Sequence, residues 1–379
     1  MIHQERLLAE FARLVSFDSE SFHEAALKDY LKEKLEALGL TVTEDGAAEA
    51  LRSYGATAGN LYARLPGTAP GEPLLFSAHM DTVSPGKGKR AVFHEDGRIT
   101  SDGTSVLGAD DGAGLAAILE ALTVIQEQGL SHPEIELLLP VAEEVYGRGS
   151  GAIDYSQVKA KTAYVLDLTG PIGTAALCAP SILSLDITVQ GRAAHAGFAP
   201  EEGVNAMTIA ARALAELETG HVSADTTVNF GTIAGGAGKN IVPAQIHILG
   251  EIRSLRHEEA LARGAHIRDV FQRAAAALGG SAEVRVIEEI RAYRTAEDAA
   301  VVRRFRRALA ELDLGEAQLI TTFGGSDNNN FALHGIEGIV LACGMEQVHS
   351  VHEYTEVSAL CQSAELTLCL MTLGEEAAP

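Results

Sequence analysis

The sequence is short of cysteine, proline and positive charge, and each shortage closes off a class of protein. Four cysteines in 379 residues, Cys178, Cys343, Cys361 and Cys369, form no CxxC pair and no dense framework. A disulfide-stapled scaffold is therefore disfavoured, and reduced thiols in a cytoplasm are expected. Eleven prolines and 21% charged residues argue against a disordered chain, while 46% hydrophobic residues suffice for real cores. Lysine and arginine number 29 against 52 aspartates and glutamates, a formal net charge of -23. A field of that sign repels phosphate backbones and anionic lipid, so no nucleic-acid or membrane partner is expected, whereas divalent cations are compatible. No apolar run reaches the roughly 18 residues that a membrane helix needs. The opening "MIHQERLLAEFARLV" has an amphipathic helical pattern and lacks the basic start and apolar block of a signal peptide.

The length is more than one typical domain needs and predicts two. Helical periodicity at Leu7 to Leu14 and in "HEAALKDYLKEKLEALG" is followed by strands at "LTVTED", "NLYARLPG" and "PLLFSAHMD". A helix after "GADDGAG", then apolar strands "EIELLLPVA" and "KTAYVLDLTG", continue the alternation of an α/β sheet flanked by helices. From about residue 179 the pattern becomes strand, helix, strand, strand, helix, strand, ending with "SAEVRVIEEIRAY". That order is the split βαβ unit, able to stand as its own α+β domain. The helix "DAAVVRRFRRALAELD" and the strand "GIVLACG" then restore the first pattern. The expectation is an α/β catalytic domain, residues 1–178 and 295–379, with a mixed sheet, interrupted by an inserted ferredoxin-like domain at 179–294.

Carboxylates and imidazoles gather at or just beyond the ends of apolar strands, where open α/β sheets bind ligands. "LLFSAHMDTVSPG" puts His79 and Asp81 on one face of an extended segment, and "VLGADDGAGLAA" opens a helix with Asp110 and Asp111. The run "ELLLPVAEEVYG" ends in adjacent Glu143 and Glu144; "YVLDLTG" contributes Asp167 and "EQVHSVHEYTEVSA" His349. Singly, each has an ordinary explanation: a helix N-cap for Asp110 or Asp111, a turn cap for Asp167, exposure for His349 or His352. Together, five separate segments offer oxygen or imidazole ligands.

Charge counting gives these groups a common task. Two Zn²⁺ ions sharing Asp110 as a bridge, with His79 and Asp167 on one and Glu144 and His349 on the other, leave one positive charge, which a bridging hydroxide would remove. Such a pair, about 3.5–4 Å apart, acidifies the shared water and polarises a carbonyl. Glu143, next to a ligand but not itself one, would take the proton and later hand it to a leaving amine. Asp81 would orient the His79 ring. Manganese or cobalt could occupy the same ligands.

The set "SAHMDTVSPG", "LGADDGAG", "EE", "LD", "AAHAGFAPEEGVNAM", "NIVPAQ", "GEIRS" and "HSVHE" resembles, in order, the co-catalytic zinc metallopeptidases that include glutamate carboxypeptidase and peptidase T. The likeness is nearest to peptidase T-like proteins and covers essentially the whole chain. It implies a hydrolase of amide bonds in short peptides, tripeptide aminopeptidase-like, with two Zn²⁺ on His79, Asp110, Glu144, Asp167 and His349. Glu143 would be the general base, Asp81 the ring-orienting residue, and the Asp110–Asp111 peptide would be cis. His352 rivals His349, but the "HSxxE" form favours His349. The resemblance also implies a homodimer formed through the inserted domain, in which His195 stabilises the oxyanion in the partner's site. Asn240, Arg253 and the loop around Gly325 and Asp327 would contact substrate. The same metal chemistry serves carboxypeptidases and N-acyl amino acid deacylases. A nucleotide-binding oxidoreductase does not fit: Gly108, Gly112 and Gly114 miss the G-x-G-x-x-G spacing, two aspartates there would repel a pyrophosphate, and no GK[ST] occurs. The presence of Glu143 argues against a metal-binding protein without catalysis.

Overall fold

The computed structural model describes residues 1–374, in two compact units. The first comprises Met1–Cys178, Arg294–Thr322 and the chain from Ser326 onward; the second comprises Ala179–Tyr293 and Phe323–Gly325. No described helix is long and apolar enough to cross a membrane.

The first unit is built on a mixed sheet whose centre is four parallel strands, in the spatial order Ile135–Leu139, Leu74–Ser77, Thr162–Thr169 and Glu337–Glu346. Leu61–Leu65 adds antiparallel to Ile135–Leu139, and Thr41–Glu44 adds antiparallel outside it. Strands buried on both faces carry continuous apolar runs, and Leu74–Ser77 and Ile135–Leu139 are buried at every position. The helix Ala109–Gln128 is buried on nearly every side, with Leu115, Ile118, Leu122 and Ile125 all in the core. It packs against the sheet and against the helices Gln4–Val15 and Val357–Thr372. Phe76 and Tyr164 stack in the core at 5.3 Å between ring centroids. Several strands of the first unit have no counterpart in the sequence reading: the short Val92–Phe93, Arg98–Thr100, Gln318–Thr321 and Tyr354–Glu356, and the longer Thr174–Ala179. Thr174–Ala179 is a run of small, wholly buried residues with no alternation to mark it, and it pairs with Glu337–Glu346.

The second unit is a five-stranded antiparallel sheet in the order Gly220–Ser223, Thr226–Gly235, Gln245–Ser254, Ser181–Gln190, Ser281–Ile290. The helices Ala206–Glu216 and His257–Ala277 pack against it through Ile209, Ala213, Ile267, Val270 and Phe271. The α+β order is the expected one except for an extra edge strand, Gly220–Ser223. That segment is four residues long and half exposed, so it carries no hydrophobic alternation.

Candidate metal centre

The parallel strands deliver their carboxyl ends to one place. His79 lies two residues beyond Leu74–Ser77, Glu143 and Glu144 follow Ile135–Leu139, Asp167 sits within Thr162–Thr169, and His349 follows Glu337–Glu346. Asp110 comes from the start of the central helix, where Gly108 is left-handed (φ 80°) and the Asp110–Asp111 peptide is cis, as the resemblance implied. Around the site the backbone turns sharply. Ala142, Tyr146, Gln347 and His349 all have positive φ without being glycine.

Asp110 lies between two imidazoles. Its Oδ1 is 2.9 Å from His79 Nε2 and its Oδ2 is 3.2 Å from His349 Nε2. His79 Nε2 is also 3.9 Å from Asp167 Oδ1, and His349 Nε2 is 2.8 Å from Glu144 Oε2. Each histidine thus faces Asp110 and one further carboxylate, so the five expected ligands converge. His352 makes no such contact among the described residues; its backbone N–H donates to Ser350 Oγ. Ligand atoms of His79, Asp110 and Glu144, and of His79, Asp111 and Asp167, fall within 4.8 Å of one another. Asp111 therefore competes with Asp110 by proximity. Its Oδ2 accepts the His79 backbone N–H and its Oδ1 that of Gly114, both at 3.1 Å. Asp111 is thereby bound to the backbone, while both oxygens of Asp110 face imidazoles.

The charges at this site are unbalanced. Burial, together with the neighbouring carboxylates, pushes Asp167, Glu143 and Glu144 above the usual carboxylate range. Hydrogen bonds donated by His349 to Asp110 and Glu144 push its pKa up to about 11. Burial opposes charging of His79, but Asp110 and Asp81 hold its pKa well above the ordinary imidazole value. Glu144 Oε1 is buried with no hydrogen-bond partner among the described residues. Imidazole and carboxylate donors, excess negative charge and an orphaned buried oxygen fit divalent metal.

Asp81 has further partners besides the His79 ring. The His79 ring nitrogen Nδ1 is 2.9 Å from the backbone oxygen of Asp81 and 3.4 Å from its carboxylate Oδ1. That carboxylate also accepts the backbone N–H groups of Glu143 (2.8 Å) and Glu144 (3.2 Å), plus the Ser21 hydroxyl at 2.7 Å. Glu353, quoted in the motif but given no task by the sequence reading, accepts from the backbone N–H groups of Gly108 (2.8 Å) and Asp110 (2.9 Å). It ties the loop that carries His349 to the turn that carries Asp110.

Of the other expected residues, Asp327 lies in the first unit, buried at the start of the helix Asp327–Leu333, and the rest belong to the second unit. His195 is exposed and stacks on Phe198 at 4.2 Å. Its Nδ1 accepts backbone N–H groups from Gly197 and Phe198, which leaves the ring proton on Nε2. Asn240 is its neighbour, since the Asn240 carbonyl accepts from Ala196 N–H at 3.0 Å. Arg253 is already engaged. Its fork meets both oxygens of Glu251 at 2.9 and 3.2 Å, and its third nitrogen donates to Phe323 O at 2.8 Å. Gly325 lies against Ile290, so that a Cβ there would meet the Cδ1 end of that side chain.

Residues 180–278 match a peptidase dimerisation domain, and residues 60–198 match peptidase family M28. The aminopeptidase PepT from Bacillus cereus superposes with a TM-score of 0.90 at 39% identity, over 98% of each chain. A tripeptidase from Staphylococcus aureus gives 0.94 at 36% identity, over 98% of this chain and 99% of that one. The Bacillus subtilis protein YqjE, itself uncharacterized, is 39% identical over the full length of both chains. Fold, site and these likenesses define a metallopeptidase. The chain belongs to the peptidase T-like family of these enzymes.

Proposed function

We propose that the enzyme removes the N-terminal residue of short peptides, tripeptides among them, with two Zn²⁺ held by His79, Asp110, Glu144, Asp167 and His349. The observation that carries this reading is the placing of Asp110, one carboxylate oxygen toward each imidazole. When bound, the metal pair would acidify a shared water and polarise the scissile carbonyl. Glu143, adjacent to ligand Glu144, takes the proton of the attacking water and returns it to the departing nitrogen. Its raised proton affinity suits a group that must hold that proton between the two steps. His195, with its proton on Nε2, would donate to the oxyanion in the site of a second copy of the chain. The match to a peptidase dimerisation domain supports a homodimer formed by the second unit. Asn240 and Gly325 are proposed substrate contacts. Arg253 would reach a substrate carboxylate by exchanging Glu251 for it. Four cysteines that form no disulfide among the described residues are in keeping with a cytoplasmic setting.

The test compares Glu143→Ala with Glu144→Ala and His349→Ala. The first should lose turnover while keeping about two metals per chain; the other two should lose metal. Turnover retained by Glu143→Ala rejects the base, and unchanged metal in the other two rejects the ligands. Free, N-acetylated and C-amidated tripeptides measured side by side test the aminopeptidase assignment, which requires the N-acetylated peptide to be refractory.

A further inference from the structure

The segment Ser19–Glu24, between the helices Gln4–Val15 and Ala25–Ala37, runs beside the Asp81 segment. Thr82 N–H donates to Ser19 O at 2.9 Å, Ser21 N–H donates to Thr82 O at 3.3 Å, and Glu20 bridges to Thr82. Glu24 is fully buried and immediately precedes a helix, yet its side chain makes no capping bond to that helix. Instead Oε1 accepts from Phe22 N–H at 2.8 Å and, across 118 residues, from Ala142 N–H at 3.0 Å. Ala142 has φ 51°, a left-handed conformation that is unfavourable for a residue with a Cβ. The next two N–H groups, those of Glu143 and Glu144, go to Asp81. Three successive backbone donors are thus accepted by two buried carboxyl groups, and the strained residue falls to Glu24.

We propose that Glu24 is a positioning residue for catalysis, which holds the left-handed turn at Ala142 and so aims Glu143 at the reacting water while Glu144 faces His349. The inference rests on the reading of Glu143 as general base. Burial pushes Glu24 up to about 7, and Oε1 serves as acceptor in the neutral and the ionised form alike. The group needed is therefore an oxygen at that point, not a charge.

The experiment uses the metal-loaded full chain and three variants, with kcat, KM and metal per chain measured on a tripeptide. Glu24→Ala and Glu24→Asp withdraw the acceptor and should lower kcat about 10–100-fold at parental metal content, with KM within about threefold. Glu24→Gln keeps Oε1 and should restore kcat to within about threefold of the parent. If Glu24→Ala does not fold, the contrast between Asp and Gln decides. Parental kcat in the Ala or Asp variant, a Gln variant as impaired as Asp, or metal lost in step with activity overturns the proposal. Glu143→Gln run in parallel separates the two readings. Turnover in that variant removes the base itself; its inactivity beside a fully active Glu24→Ala removes only the positioning role.

Discussion

Asp81 accepts the backbone N–H of Glu143 at 2.8 Å, and its second oxygen accepts that of Glu144 at 3.2 Å. One buried carboxylate therefore fixes the turn bearing both the proposed base and a proposed ligand, and its own backbone oxygen meets the His79 ring. Asp81→Ala should lower activity or metal affinity about 10–100-fold, the usual loss when an outer partner of a metal site is removed. Asp81→Asn presents an NH₂ to one of two N–H donors and should be nearly as impaired. Parental kcat and metal content in both variants would show that the turn holds without it.

Glu353 performs the matching task on the other side of the site. Replacing it by alanine leaves the N–H groups of Gly108 and Asp110 buried without an acceptor, at about 1–3 kcal/mol for each orphaned group. Glu353→Ala should lower the melting temperature of the metal-free protein and weaken metal binding, because Asp110 no longer has a fixed backbone. Glu353→Gln keeps one acceptor and should fall between. Titration of each apoprotein with Zn²⁺, followed calorimetrically, gives the comparison.

Close packing at Gly114 allows a third prediction. A Cβ there would lie against Asp111 Oδ1 and 2.6 Å from Leu166 O, the carbonyl just before Asp167. Both neighbours are backbone or are held by backbone, so neither can swing away. Gly114→Ala should destabilise by about 1–3 kcal/mol, the usual effect of overpacking, and should shift the segments carrying Asp110 and Asp167. Gly46→Ala, with open space around the added methyl, is the control and should leave melting temperature and metal affinity unchanged.

The side chains that the structure brings together were legible in the sequence because each follows an apolar strand with few competing groups. His79, Glu143, Glu144 and His349 could be placed at a sheet edge from pattern alone. What holds them was not legible. Glu24, Asp81 and Glu353 act on backbone N–H groups, and backbone donors leave no trace in residue type. Asp111 shows the limit from the other side. By proximity it is as good a ligand as Asp110, and what tells the two apart is the backbone N–H groups that hold Asp111 and the two imidazoles that face Asp110. In the fold, the missed strand Thr174–Ala179 is buried on both faces and so lacks the alternation by which strands are recognised. The edge strand Gly220–Ser223 fails for the opposite reason, having too little burial to pattern.

Removing metal should make stability depend on pH in a defined direction. Burial pushes Glu24, Asp327 and Glu353 each up to about 7, against about 3.9–4.3 for unfolded carboxyls. A group whose folded pKa lies above its unfolded value binds more protons in the native state. Its stabilising contribution is complete below about 4 and is lost as pH rises through about 7. Asp167, Glu143 and Asp111, raised by burial as well, act in the same sense. His349, raised to about 11, also loses its contribution only as pH rises. Asp110 is the exception. Burial alone would raise it, but the two imidazoles hold it below the usual range, so its contribution is lost as pH falls below about 4 and lies outside this window. The chelator-treated protein should therefore melt at a lower temperature at pH 8 than at pH 5.5. Bound dications favour the ionised carboxylates, so adding Zn²⁺ should raise the melting temperature more at pH 8 and shrink or reverse the difference. A metal-free protein whose melting temperature is flat or rises from pH 5.5 to 8 would mean that these carboxyls are not buried together as described.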